Sequence, residues 1–241
     1  MSKIRVYSNK NLRISSLLRI DDDDFHYLKN VMRLKKDEHF ILFNERDGEF
    51  DCNIIELNKK DLKIQIETQL RTPDTKKLND VELIFTPIRH QRQDFLIEKA
   101  TELGIKTLSP ILTKNTSIKD INTERAITIA KEATEQSRRL SIPQINPLIP
   151  FTEKIAKFDF QNRILIYLDE RQNTDQNTVE ILNKYKNKPV SFLIGPEGGF
   201  DASEFEILSK TNAVGITLGK LILRAETAGI SIISLYNIGI R

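Results

Sequence analysis

Two glycine-containing segments hold the residues best suited to bind a small ligand. Residues 194–200 read IGPEGGF and begin at the last residue of the apolar run 190–194. Residues 218–228 read LGKLILRAETA and begin at the last residue of the short strand candidate 216–218. Glycine lets a backbone approach a ligand closely, and ligands of open α/β sheets bind at the carboxyl ends of the strands. Both segments are therefore candidate parts of one binding site.

The first segment leads into a helix with a well-defined start. Asp201 is a candidate N-cap, Glu204 completes a capping box, and Phe200 and Phe205 occupy the two hydrophobic-staple positions. The alternative is a plain turn that connects a strand to a helix, and spacing alone leaves both interpretations open. Three glycines and a proline within residues 195–199 exceed what a simple connection needs.

Several familiar ligand motifs are missing from the sequence. The glycine loop lacks the Gly-Lys-Ser/Thr ending of a phosphate-binding P-loop, and no G-x-G-x-x-G fingerprint occurs in the chain. A Rossmann dinucleotide site is therefore disfavoured. There is also no G-x-S-x-G nucleophile elbow, so covalent hydrolase chemistry has no evident nucleophile.

Charged residues open the predicted last helix. Arg224 follows the apolar residues 221–223, which we expect to be buried while the guanidinium points outward. An arginine anchored in this way can hold an anion or the polar edge of a base. Glu226 is favoured near a helix N-terminus by the macrodipole. The alternative is a capped helix that carries a surface arginine.

Residues 132–139, EATEQSRR, form a third charged segment. On a helix Glu132, Gln136 and Arg139 would share one face, and Glu135 would face Arg139 at i,i+4. The simpler alternative is a solvated face with an ion pair that contributes about 0.3–0.5 kcal/mol.

Residues 26–33, HYLKNVMR, form a fourth segment. Lys29 and Arg33 could contact RNA phosphates, and the neighbouring aromatic rings could stack on bases. An ordinary amphipathic helix is the simpler interpretation of this segment taken alone.

The first 70 residues are predicted to be rich in β-structure. The segments 41–43, 50–54 and 62–66 are strand candidates, and Asp47-Gly48 is a hairpin signal. A helix over 24–34, with Asp24 as N-cap, interrupts them. Several short strands predict a small barrel, and the polar residues 71–77 read as a linker.

The remainder alternates strands with helices. This order predicts an α/β domain with a mostly parallel sheet covered on both faces. The predicted strands are 81–86, 107–112, 164–168, 190–194 and 216–218, and the predicted helices are 94–103, a helix from Asn122 or Thr123 toward Leu140, one from Asp201, and 225–238.

Composition limits the classes of protein that need consideration. The 241 residues include 37 basic and 34 acidic side chains, so the net charge of +3 neither requires nor excludes a polyanionic partner. One cysteine, Cys52, rules out an intrachain disulfide, and the three histidines lack zinc-ligand spacing, so we expect no metal. No apolar run has the length of a membrane span and the start lacks a secretory signal, so we expect a cytoplasmic protein without a membrane partner.

Taken together in order, these segments resemble the ribosomal RNA small-subunit methyltransferase family that modifies N3 of a uridine in 16S RNA, a member of the SPOUT class of trefoil-knotted enzymes. The similarity covers nearly the whole chain. It rests on HYLKNVMR, EKATELGI (98–105), EATEQSRR with the following Pro143, IGPEGGF with Glu204, and LGKLILRAETA. One departure is Leu221, where the family often has arginine.

The resemblance implies two domains: a PUA-like RNA-binding β-barrel over 1–72 and a SPOUT deep trefoil-knot methyltransferase domain over 77–241. It also implies a homodimer, the small ribosomal subunit with its 16S rRNA as partner, and S-adenosylmethionine as cofactor. The implied cofactor-binding residues are Leu168, Ile194, Gly195, Pro196, Glu197, Gly199, Leu218, Gly219, Leu223 and Ala228. The implied RNA-binding residues are His26, Lys29, Arg33, Lys99 and Arg139.

The chemistry of such a reaction suggests three catalytic candidates. Uridine N3 is a poor nucleophile until its proton leaves and the charge spreads onto two carbonyl oxygens, which a cation can stabilise. Arg224 is the first candidate for that cation and Arg139 the second, while Glu226 would orient Arg224. Phosphate binding is the alternative role of either arginine. The sequence does not identify a general base, and Glu197 could serve as one or only bind the cofactor.

Three other functions stay open on the sequence alone. They are methylation of tRNA by an enzyme of the same knotted class, RNA binding without catalysis, and an unrelated α/β enzyme that acts on a phosphorylated metabolite.

Overall fold

The structure is a computed structural model that describes residues 4–73, 79–171 and 177–239. The described residues form two compact units: the first contains 4–73 together with Thr134–Ser141, and the second contains 79–133 and 142–239. Most of the predicted linker lies outside the described residues. The domain limits 1–72 and 77–241 stay predictions, and the inclusion of Thr134–Ser141 in the first unit was not predicted.

The first unit contains a five-stranded sheet. Its strands are β1 (Arg5–Tyr7), β2 (Leu17–Ile20), β3 (His39–Asn44), β4 (Gly48–Leu57) and β5 (Leu62–Arg71), in the order β1-β3-β4-β5-β2. Buried residues alternate along β4 and β5, as expected when one face of a strand covers a core. Register shifts in the β4–β5 pair allow the sheet to curl. Among the described residues β1 and β2 are edge strands, so hydrogen bonding does not close the predicted barrel completely.

The helical piece of the first unit differs from its prediction. An α-helix, α1, covers Asp22–His26, and a π-helix follows over Tyr27–Val31. The amide of Met32 donates to the Tyr27 carbonyl at 2.9 Å, which is the wider π spacing. Asp21 rather than Asp24 is the N-cap, and the three following aspartates lie in the first turn, where the macrodipole favours them.

Arg5 ties Thr134–Ser141 to the first unit. Its guanidinium donates to the carbonyl oxygens of Glu135 at 2.6 Å and Arg139 at 3.2 Å, and to the Glu49 carboxylate at 3.2 Å. Burial lowers the pKa of Arg5, although Glu49 acts in the opposite direction. These hydrogen bonds satisfy carbonyls at a helix end that have no partner inside the helix.

The second unit contains a parallel sheet. Its strands are β6 (Val81–Phe85), β7 (Thr107–Leu112), β8 (Gln144–Ile145), β9 (Ile149–Pro150), β10 (Ile164–Leu168), β11 (Val190–Ile194) and β12 (Val214–Ile216). The order is β12-β10-β11-β6-β7-β8, with β9 paired to β7. This order places the carboxyl ends of β10, β11 and β12 side by side. The threading of a knot stays a prediction.

Helices connect these strands. They are α2 (His90–Glu102), α3 (Thr123–Gln136), α4 (Phe151–Ala156), α5 (Thr178–Lys184), α6 (Ala202–Ser209) and α7 (Ala225–Gly239). Alternate residues of β6 join different apolar clusters, Leu83 one and Ile84 the other, so both sheet faces are covered as predicted. Within the described ranges, no helix combines the length and hydropathy that crossing a membrane requires.

Predicted boundaries in the second part are wrong by two residues or more at three places. Helix α2 begins at His90 rather than Asp94. The last strand is Val214–Ile216 rather than 216–218, because Thr217 and Leu218 have already left the sheet. Helix α3 ends at Gln136 rather than near Leu140, and Arg138 adopts a positive φ of 61° that a helix cannot continue.

Candidate active site

A cavity of about 460 Å³ lies at the carboxyl ends of β10, β11 and β12 and the start of α7. Ligand cavities typically measure about 300–1,000 Å³. Every predicted cofactor-binding residue except Gly219 lines it: Leu168, Ile194, Gly195, Pro196, Glu197, Gly199, Leu218, Leu223 and Ala228. The sequence segments singled out by their glycines therefore meet around one space, as the strand-end argument predicts. That these residues bind the cofactor stays a prediction.

Residues 195–201, which we name the capped loop, are braced on several sides. The predicted capping box is confirmed, since the Asp201 amide donates to Glu204 Oε2 at 2.8 Å and Asp201 Oδ1 accepts from the Ser203 amide at 3.0 Å. Glu204 is buried and also accepts from the Lys114 amide at 2.8 Å. Its carboxylate thus holds two separate chain segments in place.

Aromatic packing braces the same loop. The ring centroid of Phe200 lies 5.6 Å from that of Phe205 and 6.0 Å from that of Phe151. A Cβ on Gly195 would approach the Phe200 ring to 2.9 Å, and Gly199 has a φ of +69°. Glycine is therefore required at one position by space and favoured at the other by backbone conformation.

Residues 217–224, which we name the open loop, have much less support. Gly219 has a φ of +119°, and Thr217 Oγ1 donates to its carbonyl at 3.1 Å. Leu221 and Ile222 are 81% and 80% exposed, so the expectation that residues 221–223 are buried is wrong for these two. The loop lies beyond the end of β12, and among the described residues its side chains take no part in the sheet.

The catalytic candidates near α7 occupy different surroundings. Arg224 is exposed and lines the cavity, whereas Glu226 is buried. In the described part of the chain Glu226 pairs with Arg92, whose Nε lies 3.7 Å from its Oε1, and not with Arg224. The expected orientation of Arg224 by Glu226 therefore has no supporting contact.

Arg92 is a site residue that the sequence analysis missed. Its Nη1 donates to Glu197 Oε1 at 3.0 Å, so one side chain links the capped loop to the first turn of α7. Helix α2 begins at His90, four residues before the predicted start, and this places Arg92 in its first turn. No local sequence signal marks a pairing over such a separation.

Asp169 and Arg171, just after β10, were also missed. The guanidinium donates to both carboxylate oxygens of Asp169, at 2.9 and 3.2 Å, and its carbon lies 3.3 Å from the centroid of the Phe205 ring. Hydrogen bonding to Asp169 raises the pKa of Arg171 further. Both residues line the cavity. The sequence did offer a signal for this pair, because an acidic and a basic residue follow the end of a predicted strand two positions apart.

Arg139 belongs to the first unit and does not line the cavity. It lies beyond the end of α3, so it does not share a helical face with Glu132 and Gln136 as predicted. Arg139 and Glu135 are buried, so the solvated-face alternative is wrong for this pair, whereas Glu132 and Gln136 are exposed. Burial lowers the pKa of Arg139 to about 10.

The other RNA-binding candidates differ in their availability. His26 and Arg33 are exposed, and Arg33 has a φ of 57°. Lys29 donates to the Asn58 carbonyl at 2.9 Å, and Lys99 pairs with two glutamates of its own helix. All of these RNA contacts stay predictions.

One group of potential metal ligands occurs among the described residues. His39, Asp51 and Glu67 place ligand atoms within 4.8 Å of one another on the first sheet. His39 Nδ1 lies 3.0 Å from Asp51 Oδ2, a contact that an ordinary hydrogen bond explains. The expected absence of metal stays a prediction.

Comparison with known proteins gives two family matches. Residues 75–237 match the RNA methyltransferase domain, and residues 20–67 match the RNA methyltransferase PUA domain. The first covers more than half of the chain, and the two matches lie in the order in which the sequence analysis placed the corresponding domains.

Relatives and solved structures agree with these matches. Ribosomal RNA small subunit methyltransferase E of Rickettsia conorii is 35% identical over 95% of this chain and 93% of its own, and that of Aquifex aeolicus is 28% identical over 96% and 98%. A methyltransferase of Legionella pneumophila, solved with S-adenosylmethionine, has the same fold, with a TM-score of 0.87 at 23% identity over 99% and 98% of the two chains. Ribosomal RNA small subunit methyltransferase E of Neisseria gonorrhoeae, also bound to S-adenosylmethionine, has a TM-score of 0.83 at 24% identity over 96% of this chain and 95% of its own.

The RNA methyltransferase model matches residues 75–237, and the Rickettsia relative is 35% identical over 95% of the chain. The fold and the cavity agree with this relationship. The chain therefore belongs to the RNA methyltransferase family that includes ribosomal RNA small subunit methyltransferase E.

Proposed function

We propose that this protein transfers a methyl group from S-adenosylmethionine to N3 of a uridine in the 16S RNA of the small ribosomal subunit. Family membership supports methyl transfer to RNA, and the names of the relatives support the small-subunit substrate. The observation that carries the proposal is the cavity formed by the capped and open loops at the ends of three adjacent strands. We propose that the protein acts in the cytoplasm, in keeping with this substrate.

The cavity fits a nucleoside methyl donor in size and lining. Its volume of about 460 Å³ suits a ligand of this size class, and Leu168, Ile194 and Leu223 give it apolar walls. The open loop contains no sheet or helix hydrogen-bond ladder, so its backbone N–H and C=O groups can face a base and a ribose. Gly195 lines the cavity without a side chain, because a Cβ there would meet the Phe200 ring.

Bound S-adenosylmethionine supplies a methyl group that its sulfonium already makes electrophilic. The protein must then align the acceptor nitrogen and stabilise the anion that forms when N3 loses its proton. Arg224, exposed at the cavity wall, is the cation best placed to meet the uracil carbonyl oxygens. Arg139, which belongs to the first unit, is the second candidate for the cation that stabilises this anion.

The first unit supports an RNA-binding role. Its match to a PUA domain of RNA methyltransferases covers residues 20–67, which include the exposed His26 and Arg33. Arginine side chains such as Arg33 bind phosphates and fix the position of the RNA. The target base must leave its stack to enter the cavity. We propose that the protein acts as a homodimer, as the family resemblance implies.

Incubation with labelled S-adenosylmethionine tests the substrate. The acceptors are small ribosomal subunits from cells that lack the protein, naked 16S RNA and purified tRNA, and mass spectrometry locates the methyl group. We expect label at N3 of a single uridine in 16S RNA. Label on tRNA alone would favour the tRNA enzyme instead, and failure to bind the donor in calorimetry would favour an RNA-binding protein without catalysis.

Substitution of the two arginines tests their roles. We expect Arg224→Ala to reduce turnover about 10²–10³-fold, the usual consequence of removing a group that stabilises developing charge. Donor affinity, measured separately, should change little, and Arg224→Lys should recover part of the rate. If Arg224→Ala and Arg139→Ala both keep wild-type turnover, this assignment is wrong.

A further inference from the structure

The cavity wall contains a second arginine that the reaction above does not use. Arg171 lies three residues beyond β10 and lines the cavity beside Asp169 and Glu170. We propose that Arg171 binds the carboxylate of the amino-acid portion of S-adenosylmethionine. This inference rests on the proposed function, because it names the group of the donor that one side chain recognises.

Arg171 is held in place before any ligand arrives. Asp169 accepts from Nε and Nη2 at 2.9 and 3.2 Å and from the Arg171 backbone amide at 3.0 Å. The guanidinium also stacks on Phe205, 3.3 Å from the ring centroid. A side chain fixed by a carboxylate and an aromatic face loses little conformational freedom when it binds a ligand.

The fixed guanidinium keeps one edge available. Asp169 occupies the edge formed by Nε and Nη2, which leaves the edge formed by Nη1 and Nη2. Nη1 has no hydrogen-bond partner among the residues the structure describes, and the Arg171 side chain is 58% exposed. Two parallel N–H groups at such an edge match the two oxygens of a carboxylate.

The charges around Arg171 suit an amino acid better than a simple anion. Asp169 already balances Arg171, and the exposed Glu170 adds a carboxylate at the same wall. The amino-acid portion of the donor carries one carboxylate and one ammonium, so its net charge is zero. Neighbouring groups of both signs complement such a zwitterion, whereas a lone phosphate or sulfate would meet repulsion from the acidic pair.

Arg224, the other arginine of the wall, is less suited to this task. Its side chain makes no hydrogen bond or ion pair within the described ranges, so nothing fixes its direction. A movable cation can follow an incoming base, whereas a carboxylate subsite benefits from a rigid fork. In this proposal Arg171 binds the methyl donor, and Arg224 contacts the acceptor base.

Two ligands that differ only in the carboxylate test the proposal. Isothermal calorimetry compares S-adenosylmethionine with decarboxylated S-adenosylmethionine on the wild-type protein, Arg171→Met and Arg171→Lys, without RNA. We expect Arg171→Met to weaken S-adenosylmethionine about 10- to 100-fold and to change the decarboxylated ligand less than about twofold. Arg171→Lys should lie between, since it keeps the charge and loses the fork.

Arg125→Met is the matched control, because it removes an exposed arginine of the same unit that pairs with Asp94 outside the cavity. Equal weakening of both ligands by Arg171→Met would show that Arg171 only shapes the cavity, and no weakening of either would show that it does not touch the donor. Both results overturn this inference alone. Failure of the wild-type protein to bind S-adenosylmethionine would overturn the proposed function as well.

Discussion

The two loops that enclose the cavity are held in different ways. The capped loop ends in a capping box, its Phe200 ring packs against two other aromatic rings, and its Gly199 carbonyl accepts a hydrogen bond from Asn115. The open loop exposes two large apolar side chains, Leu221 and Ile222. Packing and hydrogen bonds within the chain thus fix the wall formed by the capped loop. The wall formed by the open loop leaves apolar surface exposed.

This difference suggests a division of roles. A preorganised wall can orient a ligand without a further loss of conformational freedom. A weakly supported wall can adjust to the ligand or to a partner, since segments with few buried contacts open at low cost in free energy. Substitutions in the capped loop should therefore affect folding and binding together, whereas substitutions in the open loop should leave folding unchanged.

The largest effect is expected from Gly195→Val. The new side chain would collide with the Phe200 ring, 2.9 Å from the Cβ position, and displace it from Phe205 and Phe151. We expect the free energy of unfolding to fall by about 1–3 kcal/mol and the affinity for S-adenosylmethionine to fall at least about tenfold, measured by denaturation and calorimetry. Ala202→Val, at an exposed helix position, is the control. Unchanged stability and affinity would show that the loop is not rigidly packed.

A comparable loss of stability, without a direct change in the capped loop, is expected from Arg92→Ala. The substitution removes the link between Glu197 and Glu226 and leaves the buried Glu226 without a cation. We expect the free energy of unfolding to fall by about 1–3 kcal/mol, the usual cost of a buried polar group without its partner. The double variant Arg92→Ala with Glu226→Gln should recover part of that loss, because the buried charge is then absent.

The control for Arg92 is Arg125→Ala. Arg125 pairs with Asp94 at 2.6 Å, but its side chain is 61% exposed. Exposed ion pairs contribute about 0–1 kcal/mol, so Arg125→Ala should lower the free energy of unfolding by no more than this amount. Equal losses in both variants would indicate that Arg92 is only another surface arginine and does not brace the cavity.

The contrast between the loops also separates what the sequence could predict from what it could not. The capping box of Asp201 and Glu204 and the glycine loop before it depend on neighbours within a few residues, and both are present. The Arg92–Glu197 contact joins residues 105 positions apart, and no local pattern specifies it. The helix that was predicted to carry Arg139 ends at Gln136, where Arg5 binds the carbonyls of Glu135 and Arg139 across 130 and 134 positions. The sequence analysis therefore missed Arg92 and misplaced Arg139, because contacts between residues far apart in the sequence determine both positions.

A smaller effect concerns the pH dependence of the capped loop. Hydrogen bonds from Lys114 and Ser203 hold the pKa of Asp201 below its usual range. A carboxyl whose pKa is lower in the folded state stabilises that state at pH values above its ordinary pKa of about 3.9, and this contribution is lost as the pH falls toward the folded value. Asp201→Asn keeps an N-cap but removes the charge. The difference in Tm between wild type and Asp201→Asn should therefore be constant from pH 7 to pH 5 and narrow below about pH 4. A difference that grows on acidification would contradict this assignment.

The smallest effect on folding is expected in the open loop. Leu221→Ser and Ile222→Ser alter side chains that are 81% and 80% exposed, so the free energy of unfolding should change by less than about 0.5 kcal/mol. Leu223→Ser is the matched control, because Leu223 is half-buried and packs against the core, and its loss should cost more. A cost above about 1 kcal/mol for Leu221→Ser that disappears on dilution would mean that a second copy of the chain covers the loop in solution. If the cost were the same at every protein concentration, the loop would be folded onto its own chain, and the contrast between the two walls would be smaller than the structure indicates.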